Sequence, residues 1–327
     1  MTARIITGDA RTALADIPDG SIQCTVTSPP YFGLRDYGNA GQIGLEPTLA
    51  AYVANLVAVF REVRRCLRDD GTLWLNLGDS YAGSWGNQGR KETRGTQRPI
   101  NGEMLTPVHD GRYPSNGSNT GVIRDVGLKP KDLMMVPARV ALALQDDGWY
   151  LRSDIIWHKT APMPESVTDR PTSAHEHIFL LTKRKTYYYD ADAIAEPTLQ
   201  PLGKPTLTAQ HKADAGGFTT NGHGASSLGT NQGAATRNAR NVWTLGPAKY
   251  AAAHFATFPP ELPRRCILAG SRVGDTVLDP FAGAGTTLLV ADRLGRHGVG
   301  VELNPEYVAL AEARIRNDAP MFAEVAS

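Results

Sequence analysis

Short β-branched runs alternate with amphipathic helical patterns along most of the chain. Apolar residues three or four positions apart predict helices over 47–68, 130–146 and 305–316. The alternation predicts an α/β fold, in which a mostly parallel, doubly wound sheet of seven strands has helices on both faces. Six strands can be assigned from the pattern, at 22–27, 71–77, 151–159, 178–182, 276–279 and 299–302.

Two long segments have neither periodicity. Residues 82–127 contain several arginines and no apolar repeat, which predicts a long basic loop inserted into the sheet. Residues 197–241 are rich in Gly, Ser, Thr, Asn and Gln, and Asp214 is their only acid. Loops of this length are uncommon inside a compact domain unless they are functional or disordered. Both segments are therefore candidate functional insertions.

The chain has 327 residues, a formal net charge of +1, 41% hydrophobic residues and 20% charged residues. This balance is typical of a globular protein with a sizeable core, and the bulk charge identifies no partner. Three cysteines without a close pair exclude a disulfide framework and a CxxC metal or redox motif, and they predict a reducing compartment. The lack of a long apolar run and of a signal-peptide layout predicts a cytoplasmic protein that is not bound to membranes.

The most informative motif lies near the C-terminus, where residues 277–290 have the sequence VLDPFAGAGTTLLV. This pattern predicts a buried strand, a glycine-rich turn and a helix. Gly283 and Gly285 let a ligand approach the backbone closely, and the helix N-terminus offers free N–H groups. Asp279 is placed to hold a cationic amine, and Glu302, after the next strand, to bind two ribose hydroxyls. The motif predicts a nucleoside site, and the lack of a lysine after the last glycine disfavours a phosphate-binding P-loop.

A second motif, SPPY at 28–31, ends the strand that is predicted over 22–27. Its two prolines fix the backbone, so the carbonyls of Ser28 and Pro29 can accept hydrogen bonds beside the Ser28 hydroxyl. The exocyclic amine of cytosine or adenine is a poor nucleophile because its lone pair is delocalised into the ring. Acceptors for both amine protons would draw this nitrogen toward a tetrahedral geometry, while the Tyr31 ring would stack on the extruded base. The motif therefore suits direct methyl transfer without a covalent enzyme intermediate.

Together the two motifs resemble those of DNA amino-methyltransferases of the N4-cytosine and N6-adenine type, in the circularly permuted β-group where SPPY precedes FxGxG. The resemblance implies the permuted S-adenosylmethionine-dependent methyltransferase fold with long inserted loops, S-adenosyl-L-methionine as cofactor and double-stranded DNA as substrate. It assigns catalysis to Ser28, Pro29, Pro30 and Tyr31. The implied cofactor-binding residues are Asp9, His254, Phe255, Phe258, Asp279, Phe281, Gly283, Gly285, Thr286, Glu302 and Asn304. Phe255 departs from the family pattern, which usually has proline after this histidine.

The resemblance also divides the chain into segments with separate roles. Residues 1–81 would be the base-acting half, 82–127 the basic loop insertion, 128–189 the rest of the catalytic sheet, 190–245 the target-recognition region and 246–327 the cofactor-binding half. Candidate partners besides DNA are a cognate restriction endonuclease and a second copy of the chain in a homodimer. The candidate DNA-binding residues are Arg90, Lys91, Arg94, Arg98, Lys159, Arg170, Arg237 and Arg240.

The first residue of the SPPY motif favours cytosine N4 as the methylated atom. Ser28 is neutral, so its hydroxyl can accept from the cytosine amine or donate to cytosine N3, which an ionised aspartate would repel. Adenine N1 is a similar acceptor, so N6-adenine methylation remains an alternative. Methylation of RNA or of a protein glutamine, and a catalytically inactive DNA-binding protein of the same fold, are further alternatives. A nicotinamide dehydrogenase is disfavoured because its glycine motif normally opens the domain.

Other conspicuous residues favour ordinary structural roles. Cys24, Cys66 and Cys266 do not follow a proline, as the thiolate nucleophile of cytosine C5 methylation does, so they are assigned to core or surface positions. The run 175–177 (HEH) lacks a third metal ligand at regular spacing, and we expect it to form a polar edge near the base pocket and to bind no metal. The three tyrosines at 187–189 are expected to form a strand with aromatic rings on both faces.

Overall fold

The computed structural model describes residues 2–34, 37–39, 41–82, 128–129, 131–198, 236–246, 258–318 and 324–326. Helices and strands alternate along these residues, as the sequence predicts. The strands are β1 (Thr2–Thr7), β2 (Ile22–Thr27), β3 (Leu67–Leu77), β4 (Tyr150–Lys159), β5 (His175–Thr182), β6 (Glu196–Pro197), β7 (Thr236–Arg237), β8 (Val242–Leu245), β9 (Thr276–Asp279), β10 (His297–Glu302) and β11 (Glu324–Ala326). The helices are α1 (Ala10–Ala13), α2 (Leu49–Cys66), α3 (Val136–Asp146), α4 (Glu261–Gly270), α5 (Thr286–Arg293) and α6 (Pro305–Asp318).

Nine of these strands form one sheet, in the order β11-β1-β10-β9-β2-β3-β5-β4-β8. All neighbouring strands are parallel except for the two pairs that β5 makes with β3 and β4. The α/β class and the mostly parallel sheet are therefore confirmed. The predicted number of seven strands is too low. The pattern did not assign β1, β8 or β11. Strands β8 and β11 have only four and three residues, which is too short for alternation alone to identify a strand; the equally short β9 was assigned because it leads into the glycine-rich motif.

Helices cover both faces of the sheet, and the alternation along β10 shows it. Val299 and Val301 pack into the core that α1, α2 and α3 share. Gly298 and Gly300 face the opposite layer, where an added Cβ would lie 3.3 and 3.0 Å from Leu288 of α5. In that layer α5 packs against α4 and α6. The doubly wound arrangement predicted from the sequence is therefore present.

Helix bounds follow from local caps and from backbone conformation. Helix α2 begins after Thr48, whose side-chain oxygen accepts a hydrogen bond from the backbone N–H of Ala51 at 3.1 Å. Helix α3 begins at Val136 instead of near residue 130, because Met135 has a left-handed backbone (φ 54°) that a right-handed helix cannot include. The apolar face that predicts α2 is buried in the core and consists of Leu49, Tyr52, Leu56, Val59, Phe60, Val63 and Cys66.

The chain forms two compact units. The first comprises Met1–Asp190 and Asn241–Ser327 and contains the large sheet. The second, Ala191–Arg240, contains the antiparallel pair of β6 and β7. The predicted recognition region of 190–245 therefore extends beyond the second unit at its C-terminal end, since β8 pairs with β4 in the large sheet. The predicted basic loop lies, except for its first residue, outside the described residues.

The three consecutive tyrosines do not form a strand, contrary to the prediction. The chain is irregular at Tyr187, Tyr188 and Tyr189. The Arg272 guanidinium lies 3.8 Å from the centre of the Tyr188 ring, and Tyr189 stacks on Trp74 with ring centres 6.4 Å apart. These contacts with other elements override the strand propensity of the aromatic residues.

The three cysteines lie inside the protein, and the helices can be compared with the length of a membrane span. Cys24, Cys66 and Cys266 are buried, and burial raises the pKa of the Cys24 thiol to about 12 and that of the Cys66 thiol to about 11. Thiols in such surroundings are poor nucleophiles because the reactive thiolate is not populated. Within the described ranges, no helix has the length and apolar character needed to cross a membrane.

Candidate active site

The two sequence motifs meet at one edge of the large sheet. Strand β2, which leads into SPPY, pairs in parallel with β9, which leads into the glycine-rich turn, with Cys24 opposite Val277 and Thr25 opposite Leu278. The carboxyl ends of both strands therefore open at the same edge. This confirms the adjacency that the sequence predicts, at the crevice where doubly wound sheets bind ligands.

A cavity of about 760 Å³ opens at this edge. Its lining includes both motifs, so the residues predicted to act on a base and those predicted to bind a cofactor share one space. Asn76, Glu176 and Tyr307 also line the cavity, although they are not among the predicted site residues. The predicted residues that line it are Asp9, Ser28, Pro29, Pro30, Tyr31, Lys159, Phe258, Asp279, Phe281, Gly283, Thr286, Glu302 and Asn304.

Asp279 is a buried carboxylate at the base of the cavity, with 2% of its surface exposed. Its Oδ1 accepts hydrogen bonds from the Thr27 hydroxyl at 2.6 Å and from the Phe281 backbone N–H at 3.0 Å. Burial is the main cause that raises its pKa to about 6, and the nearby Glu302 contributes in the same direction. The site therefore favours a positively charged ligand that compensates for the desolvated charge.

Glu302 ends β10 and shapes the glycine-rich turn. Its carboxylate accepts from the backbone N–H of Gly283 at 2.8 Å and from that of Asn304 at 2.8 Å. Burial nevertheless raises the pKa of this carboxyl above its usual value. A second partly desolvated acid thus lies on the cavity wall next to Asp279, at the end of the adjacent strand.

Gly285 does not line the cavity, and its contacts indicate a packing role instead. Its backbone is left-handed (φ 72°), and an added Cβ would lie 2.8 Å from the Ala311 Cβ of α6. The next residue, Thr286, accepts a hydrogen bond from Arg314 of α6 at 2.8 Å. This glycine therefore lets α6 approach the turn, and the structure gives it no direct contact with the cavity.

Asp9 lines the cavity but has a structural partner. Its carboxylate caps α1 by accepting from the Arg11 backbone N–H at 2.9 Å, and it forms an ion pair with the Arg11 guanidinium. Hydrogen bonding to Arg11 holds the pKa of Asp9 below its usual value. His254 and Phe255, the remaining predicted cofactor residues, lie outside the described residues.

The backbone and ring of the SPPY motif are fixed from several sides. The Tyr52 hydroxyl donates to the Pro30 carbonyl at 2.9 Å. Gly78, directly after β3, leaves room for the Tyr31 ring, because an added Cβ would lie 2.6 Å from Tyr31 Cε2. The Ser28 hydroxyl lies 3.3 Å from the Tyr31 hydroxyl. The motif is therefore held rigidly at the carboxyl end of β2.

Glu176, the second residue of β5, is the centre of a hydrogen-bond network beside this motif. Its Oε2 accepts from the Tyr31 hydroxyl at 2.6 Å and from Asn76 Nδ2 at 3.0 Å. Its Oε1 pairs with the Lys159 ammonium, which also lies 5.0 Å from the centre of the Trp157 ring. The expected polar edge at 175–177 is thus present, and Glu176 is a residue that sequence reasoning did not assign to the site.

The signals for Asn76 and Glu176 were present in the sequence but not specific. Asn76 is a buried amide in the otherwise apolar end of β3, and buried polar groups require partners.

Among the described residues, no group of three or more His, Cys, Asp or Glu could hold a metal ion. His177 of the HEH run instead pairs with Asp154 at 2.9 Å.

The predicted DNA-binding residues are dispersed. Lys159 lines the cavity. Arg170 stacks over the Tyr81 ring at 3.8 Å and pairs with Glu165 at 2.6 Å, so it is held on the loop after β4 and is not part of the cavity wall. Arg237 and Arg240 lie in the second unit, where both pair with Glu196. The other four predicted residues lie outside the described residues; they are Arg90, Lys91, Arg94 and Arg98.

Comparison with known proteins identifies the family of this chain. Residues 22–313 match the DNA methylase family of N6 and N4 methyltransferases. The type II methyltransferase M.XycI of Xanthomonas campestris pv. cyanopsidis is 47% identical over 94% of this chain and 86% of its own length. M.SmaI of Serratia marcescens is 46% identical over 96% of this chain and 91% of its own length. A solved putative DNA modification methylase of Thermus thermophilus, complexed with S-adenosyl-L-methionine, is 26% identical with a TM-score of 0.57, over 99% of this chain and 100% of its own.

The chain therefore belongs to the DNA methylase family of N6 and N4 methyltransferases. It is a type II DNA methyltransferase that uses S-adenosyl-L-methionine and acts on DNA. The cytosine-N4-specific PvuII DNA methyltransferase shares the fold, with a TM-score of 0.59 at 18% identity over 99% of this chain and 95% of its own.

The residues of the cavity fit this cofactor. The cavity volume lies within the range of about 300–1,000 Å³ that small-molecule sites span. Asp279 and Glu302 are desolvated acids, and a positively charged ligand beside them would compensate for the burial that raises both pKa values. When bound, the cofactor supplies an activated methyl group on a positively charged sulfur.

Proposed function

We propose that this methyltransferase modifies the exocyclic N4 of cytosine at a specific site in duplex DNA. The target cytosine would turn out of the helix into the cavity, and its amine nitrogen would take the methyl group directly as the bond from the methyl carbon to the cofactor sulfur breaks. The demethylated cofactor would then leave, and the methylated amine would release one of its protons. The observation that carries the proposal is the neutral Ser28 hydroxyl at the head of the catalytic motif, within one cavity with Asp279. Adenine N6 is the alternative target, because the family includes both reactions.

The residues of the SPPY motif would prepare the amine for attack. Ser28 Oγ and the Pro29 carbonyl accept the two amine protons, which returns the nitrogen lone pair toward the methyl donor. The Tyr31 ring stacks on the base and excludes water from its face. No side chain needs to form a covalent bond to the base, which agrees with the burial of all three cysteines.

The cofactor pocket would be formed by the second motif. Asp279 takes the positively charged amine of the cofactor, and Glu302 binds the ribose hydroxyls. The glycine turn at Gly283 brings backbone close to the nucleoside, with aromatic rings at Phe258 and Phe281 on the cavity wall. These roles place the methyl donor at the end of β9 and its acceptor at the end of the adjacent β2.

Two other segments of the chain would select and hold the DNA. We assign target recognition to the region around the second unit, and phosphate contacts to the basic residues of the 82–127 loop. We further propose that the protein acts in the cytoplasm and that a cognate restriction endonuclease accompanies it. Formation of a homodimer stays a prediction.

The test is to identify the modified nucleoside. DNA methylated by the purified protein is digested to nucleosides and analysed by mass spectrometry, with methyl groups traced from tritiated cofactor. N4-methyldeoxycytidine as the product supports the proposal. N6-methyldeoxyadenosine as the only modified nucleoside would transfer the assignment to adenine, and absence of any methyl transfer would favour an inactive DNA-binding protein of the same fold.

A further inference from the structure

We propose that Glu176 is a positioning residue that fixes the direction of a hydroxyl chain from Ser28 through Tyr31, so that Ser28 presents its lone pairs to the target amine. This inference rests on the proposed role of Ser28 as an acceptor, but it holds whether the base is cytosine or adenine. It deepens the proposed mechanism by adding a residue that acts through Tyr31 and does not touch the base.

Glu176 is surrounded by hydrogen-bond donors. Its side chain is 12% exposed, and both carboxylate oxygens have donors on them. Lys159 pairs with Oε1, while the Tyr31 hydroxyl and Asn76 Nδ2 share Oε2. With a donor on Oε1 and two donors on Oε2, the carboxylate acts as an acceptor toward all three partners, Tyr31 included.

The Tyr31 hydroxyl donates its hydrogen bond to Glu176. The two oxygens are 2.6 Å apart, whereas the alternative acceptor, Asn76 Oδ1, is 3.4 Å from the Tyr31 hydroxyl. Burial and the adjacent carboxylate raise the pKa of Tyr31 well above its usual value, which keeps the hydroxyl protonated. Gly78 lies beside the ring edge, where an added Cβ would be 2.6 Å from Tyr31 Cε2.

The direction of the Tyr31 hydrogen bond determines the direction of the Ser28 hydroxyl. Because the Tyr31 proton is directed to Glu176, the Tyr31 oxygen is left as an acceptor for the Ser28 hydroxyl at 3.3 Å. The Ser28 proton therefore points away from the incoming base, and its lone pairs remain for an amine proton. If Tyr31 were to donate to Ser28 instead, the Ser28 proton would face the amine, and two donors would oppose each other.

The test is Glu176→Gln, which keeps the size of the side chain and reverses the chain of hydroxyls. An amide has one acceptor oxygen, which turns to the Lys159 ammonium, so its NH2 group faces Tyr31 and makes that hydroxyl accept. We expect the single-turnover rate of methyl transfer to fall by about tenfold to a hundredfold, the loss expected when one hydrogen bond to a charged group is removed. Cofactor affinity and the KM for DNA should change less than about twofold.

The decisive measurement is a double-mutant cycle with Ser28→Ala. Because Glu176 acts through Ser28, the substitution Glu176→Gln should cause no further loss of rate once Ser28 is alanine. The matched control is Asp154→Asn, which alters the contact between Asp154 of β4 and His177 of β5 and should leave the rate unchanged. Glu176→Asp, which keeps a carboxylate, should retain more activity than Glu176→Gln.

The outcomes separate this inference from the proposed function. If the losses from Ser28→Ala and Glu176→Gln multiply, or if Glu176→Gln has the wild-type rate, Glu176 does not act through Ser28 and the inference is wrong. If Ser28→Ala alone leaves the rate unchanged, the acceptor role of Ser28 in the proposed function fails first. Equal loss of cofactor affinity and rate in Glu176→Gln would indicate general damage to the cavity and would also overturn the inference.

Discussion

Asp279 should destabilise the cofactor-free protein at neutral pH, so Asp279→Asn should stabilise it. Burial raises the pKa of this carboxyl from 3.8 to about 6, so the folded protein holds the proton more tightly than the unfolded chain. The stabilisation from this protonation is complete below pH 3.8 and is lost as the pH rises through 6. At about 1.36 kcal/mol for each pKa unit, the charge costs about 3 kcal/mol above that window. Asparagine carries no charge and avoids this cost.

The same charge should be required for cofactor affinity. A positively charged cofactor binds the ionised carboxylate, and the ionised fraction falls about tenfold for each pH unit below the pKa. Wild-type affinity should therefore be about tenfold weaker at pH 5 than at pH 7. Glu302, whose pKa is also raised by burial, changes affinity in the same direction. Asp279→Asn should bind the cofactor at least about tenfold more weakly than the wild type at pH 7, as expected when a charged hydrogen bond is removed.

Titration calorimetry across this pH range tests the expected change in cofactor affinity. Chemical denaturation of the cofactor-free protein tests the expected change in stability. The matched control is Asp275→Asn at the other end of β9, where the side chain pairs with Arg68 and accepts from the Arg272 N–H. This variant should lose a little stability and keep the wild-type cofactor affinity. An Asp279→Asn protein less stable than the wild type at neutral pH, or a wild-type affinity that is flat between pH 5 and pH 7, would refute the reasoning.

Two further predictions concern packing and DNA. Gly285→Ala should lower the free energy of unfolding by at least about 1 kcal/mol more than Gly274→Ala, measured by denaturant titration. Both glycines have positive φ, but only Gly285 would place a Cβ against α6, at 2.8 Å from Ala311, so equal destabilisation would contradict the packing role. Neutralising the loop cations should lower the slope of log K against log salt by about 0.9 for each phosphate that the protein no longer neutralises, with cofactor affinity unchanged. An unchanged slope would assign these residues to solvent; they are Arg90, Lys91, Arg94 and Arg98.

The sequence predicted where Asp279 and Glu302 lie because their positions depend on local pattern. Asp279 ends a short buried strand, Glu302 ends the next one, and parallel neighbours open at the same sheet edge. The pairing of β2 with β9 spans most of the chain, yet the sequence predicted it from chemistry, since a base amine and a methyl donor would have to share one cavity. Polar residues at strand ends were therefore enough to place both motifs at one edge of the sheet.

The base side was predicted only in part because its supporting residues depend on antiparallel pairing across β5. Asn76 and Glu176 come together because β3 pairs with β5, with Leu77 opposite His177. Nothing in the local pattern distinguishes this register from a shift by two residues, and such a shift would separate Glu176 from Tyr31. The strand predicted at 187–189 failed for a related reason, since contacts with Trp74 and Arg272 decide the conformation there.

The two halves of the catalytic unit are joined by buried polar contacts at the site itself. The Thr27 hydroxyl donates to Asp279 at 2.6 Å across 252 residues of sequence, and the Thr287 hydroxyl donates to the Val26 carbonyl at 3.2 Å across 261. Both contacts connect the end of β2 to the cofactor motif, directly before Ser28. The direct methyl transfer proposed above would depend on alignment of donor and acceptor, because misplacement by about 1 Å can cost a hundredfold in rate. These contacts hold the ends of β2 and β9 together although the two motifs are far apart in sequence, so the spacing of the motifs in space is set by the sheet and not by the chain between them.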